Sequence, residues 1–370
     1  MPRDSFIAQK LREAGVIILG KANLSQWANF RSNNSSNGWS AHGGQVLGAY
    51  IRNQDPSGSS SGSGVSASLG LAVACLGTET DGSIISPSMR NNLAGIKPSV
   101  GLTSRDLVIP ISEHQDTIGP MARTVKDAAY LLQIIAGRDP NDNYTSAIPN
   151  GDLPDYVAAC DENALRGMRI GVPDNVLELI EPFFEDARPE LDAYFDALSV
   201  LEEAGAELVR NANFTAVEQW IDSEAESAVL EADFISNLAA YLAQLTENPN
   251  NIKSLADVRN FTQGFEAEEY PSRDTGTWDD ALDVQRFNNT DPRFFPQLQE
   301  QLFLGGDGGV LGALETFELD AVVLPSGLSS PFAAGIGSPV VTVPLGFHPA
   351  NAPVVMNRRG NLVDTGPNVP

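Results

Sequence analysis

The chain has 370 residues, with 48 acidic against 23 basic side chains and a formal charge of −25. That balance excludes nucleic acid as a partner, because phosphate binding needs clustered Lys and Arg. No apolar run reaches 18 uncharged residues, so no membrane span is predicted. Cys75 and Cys160 are the only cysteines. Two cysteines and three scattered histidines make neither a disulfide framework nor a metal cluster, so no cofactor or metal is expected. The length allows a sizeable core, in one large α/β domain or two smaller ones.

Taken in order, residues 5–14 show helical spacing, with Phe6, Ile7, Leu11 and Ala14 on one side. Gly15 stops that helix, and Val16 to Leu19 read as a buried strand. Residues 25–56 are rich in Ser, Asn and Gly and read as a long ordered loop. Residues 99–112 read as short strands and turns. Thr124 caps a predicted helix through Ile135, ended by Gly137. Residues 138–160 form a polar, Pro-bearing connection. Strands are predicted at Arg169–Val172, Ala206–Val209 and 320–324, and a helix over Glu185–Ala204. Residues 212–305 are acidic, helical and less regular. The alternation of helix and strand marks an α/β fold with a substantially parallel sheet. The polar start, Met1-Pro2-Arg3-Asp4-Ser5, lacks a signal-peptide pattern. Seven Asn-x-Ser/Thr sequons, from Asn23 to Asn288, lean the other way. The compartment stays open between cytoplasmic and secreted.

The most informative stretch is Ser57 to Pro98. A Gly/Ser cluster, Ser57 to Gly64, runs into small and apolar residues, Val65 to Leu76. A flexible linker would join polar segments; this cluster instead reads as a tight loop before a buried helix that includes Cys75. Its free N–H groups could meet a polar or anionic group. A second glycine-bearing turn, Gly77-Thr78-Glu79-Thr80-Asp81-Gly82-Ser83, precedes Ile84-Ile85-Ser86-Pro87. An exposed hydroxyl beside successive backbone N–H groups suits a nucleophile with an oxyanion hole. A plain αL turn between helix and strand fits the composition equally well.

These motifs resemble the amidase signature family, serine hydrolases that use a Ser–Ser–Lys relay. The resemblance rests on Ser57-Gly58-Ser59-Ser60-Ser61-Gly62-Ser63, Gly77 to Pro87, and Gly95-Ile96-Lys97-Pro98, with Ser59 and Ser83 spaced 24 residues apart. It extends to Ala14 to Ser25 and Trp39-Ser40-Ala41 upstream, and to Gln115 to Val125 and Gly337 to Gly346 downstream. It implies a single domain over residues 1–370, with a mixed central β-sheet flanked by helices on both faces. It implies hydrolysis of C–N bonds in small linear or aryl amides through an acyl-enzyme. Ser83 would be the nucleophile and Ser59 the bridging serine, after a cis Gly58–Ser59 peptide. The N–H groups of Thr80, Asp81, Gly82 and Ser83 would form the oxyanion hole.

An amide carbonyl is a poor electrophile, and its amine leaves only when protonated, so a proton carrier is required. The family uses a lysine in an N-terminal strand. Of the five lysines, Lys10, Lys21, Lys97, Lys126 and Lys253, none matches that position. Lys97 matches the Gly-Leu-Lys-Pro position instead, and Lys10 reads as exposed. The chain is therefore expected to lack the family's N-terminal lysine segment and its C-terminal strand and helix, and to turn over amides poorly. Asp81 and Ile85 depart from the usual Gly and Arg. Two alternatives remain: a catalytically dead amidase fold acting as a binding module, and an α/β-hydrolase reading of Gly58-Ser59-Ser60-Ser61-Gly62. The latter takes Ser60 as nucleophile, with His114 or His348 as base.

Overall fold

A computed structural model of the chain describes residues 1–149, 152–179 and 188–370. The first helix, α1 (Phe6–Glu13), starts where Ser5 Oγ accepts the Ala8 N–H. Val16 to Leu19, expected as a buried strand, are instead unpaired extended chain, and Ile17 and Leu19 are 83% and 74% exposed. The apolar run has no strand beside it among the described residues, so its sequence preference finds no ladder to join. Residues 25–56 are mostly loop, with one hairpin of β1 (Trp39–Ser40) and β2 (Gly44–Gln45).

The stretch after the Gly/Ser cluster divides differently from the expectation. Helix α2 (Ser61–Ser68) is short, and strand β3 (Ala74–Glu79) follows it. Cys75 therefore lies in a strand, half-buried, and Leu69, Leu71 and Val73 between the two elements are exposed. Helix α3 (Ile85–Arg90), strand β4 (Ala94–Lys97), strand β5 (Thr117–Ala122) and helix α4 (Val125–Ile135) come next. Thr124 caps α4 as expected, accepting the Asp127 N–H at 3.1 Å.

Beyond the connection run β6 (Arg169–Val172), α5 (Asp174–Glu178), α6 (Arg188–Glu203) and β7 (Glu207–Arg210). The first residues of the predicted 185–204 helix lie outside the described residues. The acidic region is helical: α7 (Val217–Asp222), α8 (Ala225–Leu242), α9 (Leu255–Gly264), α10 (Gly276–Asp279) and α11 (Phe294–Gly305). The described chain closes with α12 (Val310–Thr316), β8 (Ala321–Val322), α13 (Ser326–Ala334), β9 (Val340–Thr342), and a hairpin of β10 (Val355–Met356) and β11 (Val363–Thr365).

The α/β class holds, but the main strands form two sheets of unlike kind. One is antiparallel, in the order β3-β5-β4-β9; the other is parallel, in the order β7-β6-β8. The expected parallel character belongs to the second, and the candidate nucleophile sits on the first. Register assigns the faces of the antiparallel sheet. Ala74 pairs with Ala122, and Cys75 with Met121, which also pairs with Gly95. Side chains alternate along a strand. Leu76, Ile96 and Ala122 thus face α1 and α4, in a core with Ile7, Leu11, Leu132 and Ile135. Cys75 and Met121 face the other way, packing with Ala67 of α2 and with Ile84.

On that second face three positions are glycine: Gly77 and Gly119, which are paired, and Gly95, which pairs with Met121. A Cβ on Gly119 would stand 1.9 Å from Ile96 O and 3.0 Å from Ile84 Cδ1; one on Gly95 would stand 2.3 Å from Ser88 Oγ. The bare backbone lets α3 and its leading turn settle directly on the sheet. Gly119→Ala should therefore wedge β4 from β5. We expect a loss of at least about 2 kcal/mol in urea unfolding, in line with overpacked cores. An unchanged midpoint would contradict this packing.

Candidate active site

The two serine-bearing loops meet at the end of β3. The Ser60 N–H donates to Ser83 O at 3.2 Å, stitching one loop to the other. Asn23 O accepts the Gly62 N–H and Ser59 O accepts the Ser25 N–H, which anchors the Gly/Ser loop on the long N-terminal loop. Glycine is required here for close approach. A Cβ on Gly62 would lie 2.3 Å from Asn23 O, and one on Gly58 would lie 2.5 Å from Ser25 Oγ. The Gly58–Ser59 peptide is cis.

Ser83 is 9% exposed at the start of the turn into α3. Gly82 has φ +75°, a conformation that favours glycine, and a Cβ there would crowd Ser86 Oγ and Ser330 Oγ. Among the described residues, the backbone N–H groups of Asp81, Gly82 and Ser83 donate to no protein acceptor. Ser59 is fully buried, and its Oγ has no hydrogen-bond partner. No hydrogen bond joins the Ser59 and Ser83 hydroxyls, although their loops are in contact.

Ser60 is differently engaged. Its Oγ donates to Thr78 O and accepts the Thr78 N–H, both at 3.1 Å. No strand runs directly into Gly58-Ser59-Ser60-Ser61-Gly62, so the geometry that motif needs is missing. His114, the first candidate base of that reading, is held by a carboxylate rather than a serine. Its Nδ1 lies 2.7 Å from Oδ2 of the buried Asp233 on α8, and Asp233 also accepts from Ser112 Oγ and Asn289 Nδ2. His348 lies 3.4 Å from Glu190, with no hydroxyl as its partner.

Buried charge surrounds the Ser83 loop, a feature that composition could not reveal. Glu79 ends β3 with one carboxylate oxygen accepting both the Ile84 and Ile85 N–H groups, at 2.6 and 2.9 Å. Asp116 accepts from Thr80 Oγ1 at 2.6 Å and from the Ile111 and Ser112 N–H groups. Burial outweighs those donors and pushes its carboxyl up to about 6. Glu226 of α8 accepts from Gln115 Nε2 at 2.8 Å; burial, then the Asp81 charge, pushes it up to about 7. Lys97 is fully buried, and burial lowers its ammonium to about 8 against the pull of Glu79 and Asp81. Its Nζ donates to Ser338 O at 2.7 Å. Lys10, expected to be exposed, donates to Ala136 O. No lysine among the described residues donates to Ser59 or Ser83.

A cavity of about 340 Å³ reaches the loop at Thr78 and Thr80, with Ile109, Ala240 and Tyr241 as apolar lining. Its cations are already paired: Arg105 grips Asp142 through Nε and a second nitrogen, and Arg3 pairs with Asp106. Glu113, His114 and Asp233 are grouped closely enough to hold a metal ion, but His114, Ser112 and Asn289 already occupy the acceptor atoms of Asp233.

With this geometry in hand, the comparisons with known proteins are specific. The family model described as Amidase matches residues 1–342, and the chain belongs to the amidase signature family. An amidase-family protein of Arthroderma benhamiae is 56% identical over 367 residues, which cover 99% of this chain and 61% of the relative. One of Arabidopsis thaliana is 39% identical, over 95% of this chain and 65% of the relative. The chain thus spans less than two thirds of the length of these relatives. Among solved structures, the peptide amidase of Stenotrophomonas maltophilia superposes with a TM-score of 0.83 at 38% identity, covering 94% of this chain and 71% of that one.

The raised carboxyls fix a direction for pH dependence. Glu226 binds its proton more tightly folded than at its ordinary value of 4.5, so its contribution to stability is complete below that value and is lost as pH rises through about 7. Asp116 behaves likewise between its ordinary 3.8 and about 6, and the raised His114 adds the same sign. Urea unfolding should show stability falling from about pH 4 to pH 7, and Glu226→Gln should flatten the upper part of that fall. A flat profile for the unmodified chain would contradict the burial of these groups.

Proposed function

We propose that this protein hydrolyses C–N amide bonds of small linear or aryl amides through an acyl-enzyme on Ser83. The observation that carries the reading is the turn at Asp81-Gly82-Ser83. It places a hydroxyl beside three backbone N–H groups that have no other acceptor among the described residues. Attack by Ser83 Oγ on the carbonyl would form a tetrahedral oxyanion, and those N–H groups are suited to hold it. Thr80 stands next to them, and its hydroxyl is held by Asp116. Ser59 is the bridging serine, its buried Oγ free to pass a proton between Ser83 and a base. Family membership and the peptide amidase likeness support amides as the substrate class. A cavity of about 340 Å³ opens beside Thr78 and Thr80, and neither Ser59 nor Ser83 lines it.

The proton carrier of the family is a lysine in an N-terminal strand, and no lysine among the described residues donates to Ser59 or Ser83. Within them, Lys97 is buried near the loop, but its Nζ serves Ser338 O. These 370 residues alone should therefore acylate slowly, because Ser83 keeps its proton at neutral pH and the leaving amine has no donor.

Two measurements test the reading. A fluorophosphonate probe should label Ser83 in a form extended upstream to include the family lysine. Ser83→Ala should abolish that labelling, while Ser60→Ala leaves the adduct on Ser83. An adduct mapped to Ser60 would return the α/β-hydrolase reading. On a panel of aryl amides the extended form should exceed the 370-residue chain by about 10⁴-fold or more in kcat, the scale for losing one member of a catalytic unit. Equal turnover by the two forms would place the base inside these residues. Failure of both, with intact folding, would favour the binding module.

A further inference from the structure

The lysine that the relay does not use stands in an unusual place. Lys97 closes β4 with no solvent exposure and is one of the largest fully buried side chains of the protein. An ammonium without a counter-charge is costly in such a place. Extending the β4–β5 register from Gly95↔Met121 sets Lys97 opposite Gly119, and Gly119 pairs with Gly77, two residues before Glu79. Alternation then puts Lys97 and Glu79 on the same face of the sheet, the face that seats α2 and α3. Gly119 and Gly77, which line up with Lys97 across the strands, carry no side chain, and Thr117 of β5 stands opposite Glu79.

Glu79 needs that charge. Its Oε2 accepts two N–H groups, but its Oε1 is buried with no hydrogen-bond partner. A protonated Glu79 would have no acceptor for a hydroxyl there, and an ionised one has no donor. Burial pushes the Glu79 and Asp81 carboxyls up, and a cation acting through space is what remains to oppose that push: Lys97 pulls on both in the other direction.

We propose that Lys97 is a positioning residue of the nucleophile turn: it keeps Glu79 in the carboxylate form that clamps the Ile84 and Ile85 N–H groups, and so fixes the backbone presenting Ser83. The inference rests on the reading of Ser83 as nucleophile for its catalytic meaning, but not for its structural content. Lys97 touches neither substrate nor serine in this scheme; it acts through Glu79.

The test is a double-mutant cycle read by residue-resolved amide exchange in the 370-residue chain. Lys97→Met keeps the volume and removes the charge. Exchange at Ile84 and Ile85 should quicken about tenfold or more, while Ile170 in β6 and Leu238 in α8 stay protected as folding controls. Glu79→Gln should quicken the same two amides. In the Glu79→Gln background, Lys97→Met should add less than about twofold, because the charge it served is gone. In the extended form, fluorophosphonate labelling of Ser83 should follow the same non-additive pattern. Unchanged exchange at Ile84 and Ile85 in Lys97→Met would overturn the proposal. So would a full tenfold effect of Lys97→Met persisting in the Glu79→Gln background, which marks Lys97 as packing alone. If Lys97→Met does not fold, Glu79→Gln still decides: unchanged Ile84 and Ile85 exchange there removes the clamp. Labelling that fails or maps elsewhere, with the exchange cycle intact, would instead reject the nucleophile reading.

Discussion

One face of the antiparallel sheet is nearly bare, and the site depends on it. Gly77 and Gly119 are paired across β3 and β5, Gly95 lies on the same face of β4, and a Cβ on any of them would strike a neighbour within 3 Å. Backbone rather than side chain therefore meets α3 and the Gly/Ser loop. Close approach makes the Ser60–Ser83 stitch possible and brings two loops 24 residues apart into one place. The opposite face is an ordinary apolar core under α1 and α4, and it holds the strands firm while the bare face is used.

Close packing has an electrostatic consequence. Glu79, Asp116, Glu226 and Lys97 are drawn into the interior around the turn, where charges cost several kcal/mol each unless paired or hydrogen-bonded. The arrangement divides them by task. Asp116 ties Thr80 to the loop of residues 111–116, Glu226 joins that loop to α8 through Gln115, and Glu79 caps the turn into α3. The carboxylates are thus tethers between elements distant in sequence.

The acidic helical region contributes through α8. That helix packs Phe234 and Leu238 with Trp278 on one side. It also presents Asp233 to His114 and Glu226 to Gln115. This acidic helical region is therefore wired to the loop that supports Thr80. Substitutions there can reach the site without touching a serine.

The sequence alone determined the parts that depend on local chemistry. The Ser5 and Thr124 caps set helix starts, and the Ile7/Leu11 spacing chose the buried face of α1. The run of residues from Ser57 to Ser83 marked both serine loops and the order of the chain. What it could not determine depends on partners remote in sequence. Val16 to Leu19 have strand chemistry but no neighbouring strand among the described residues. Val65 to Leu76 divide into helix, turn and strand because β5 claims Ala74 to Glu79, a choice made by pairing rather than propensity. Lys97 looked like one motif lysine among five, and His114 like one candidate base for Ser60. Their burial beside Glu79 and Asp233 follows from strand register and from the docking of α8, which no local window of residues contains.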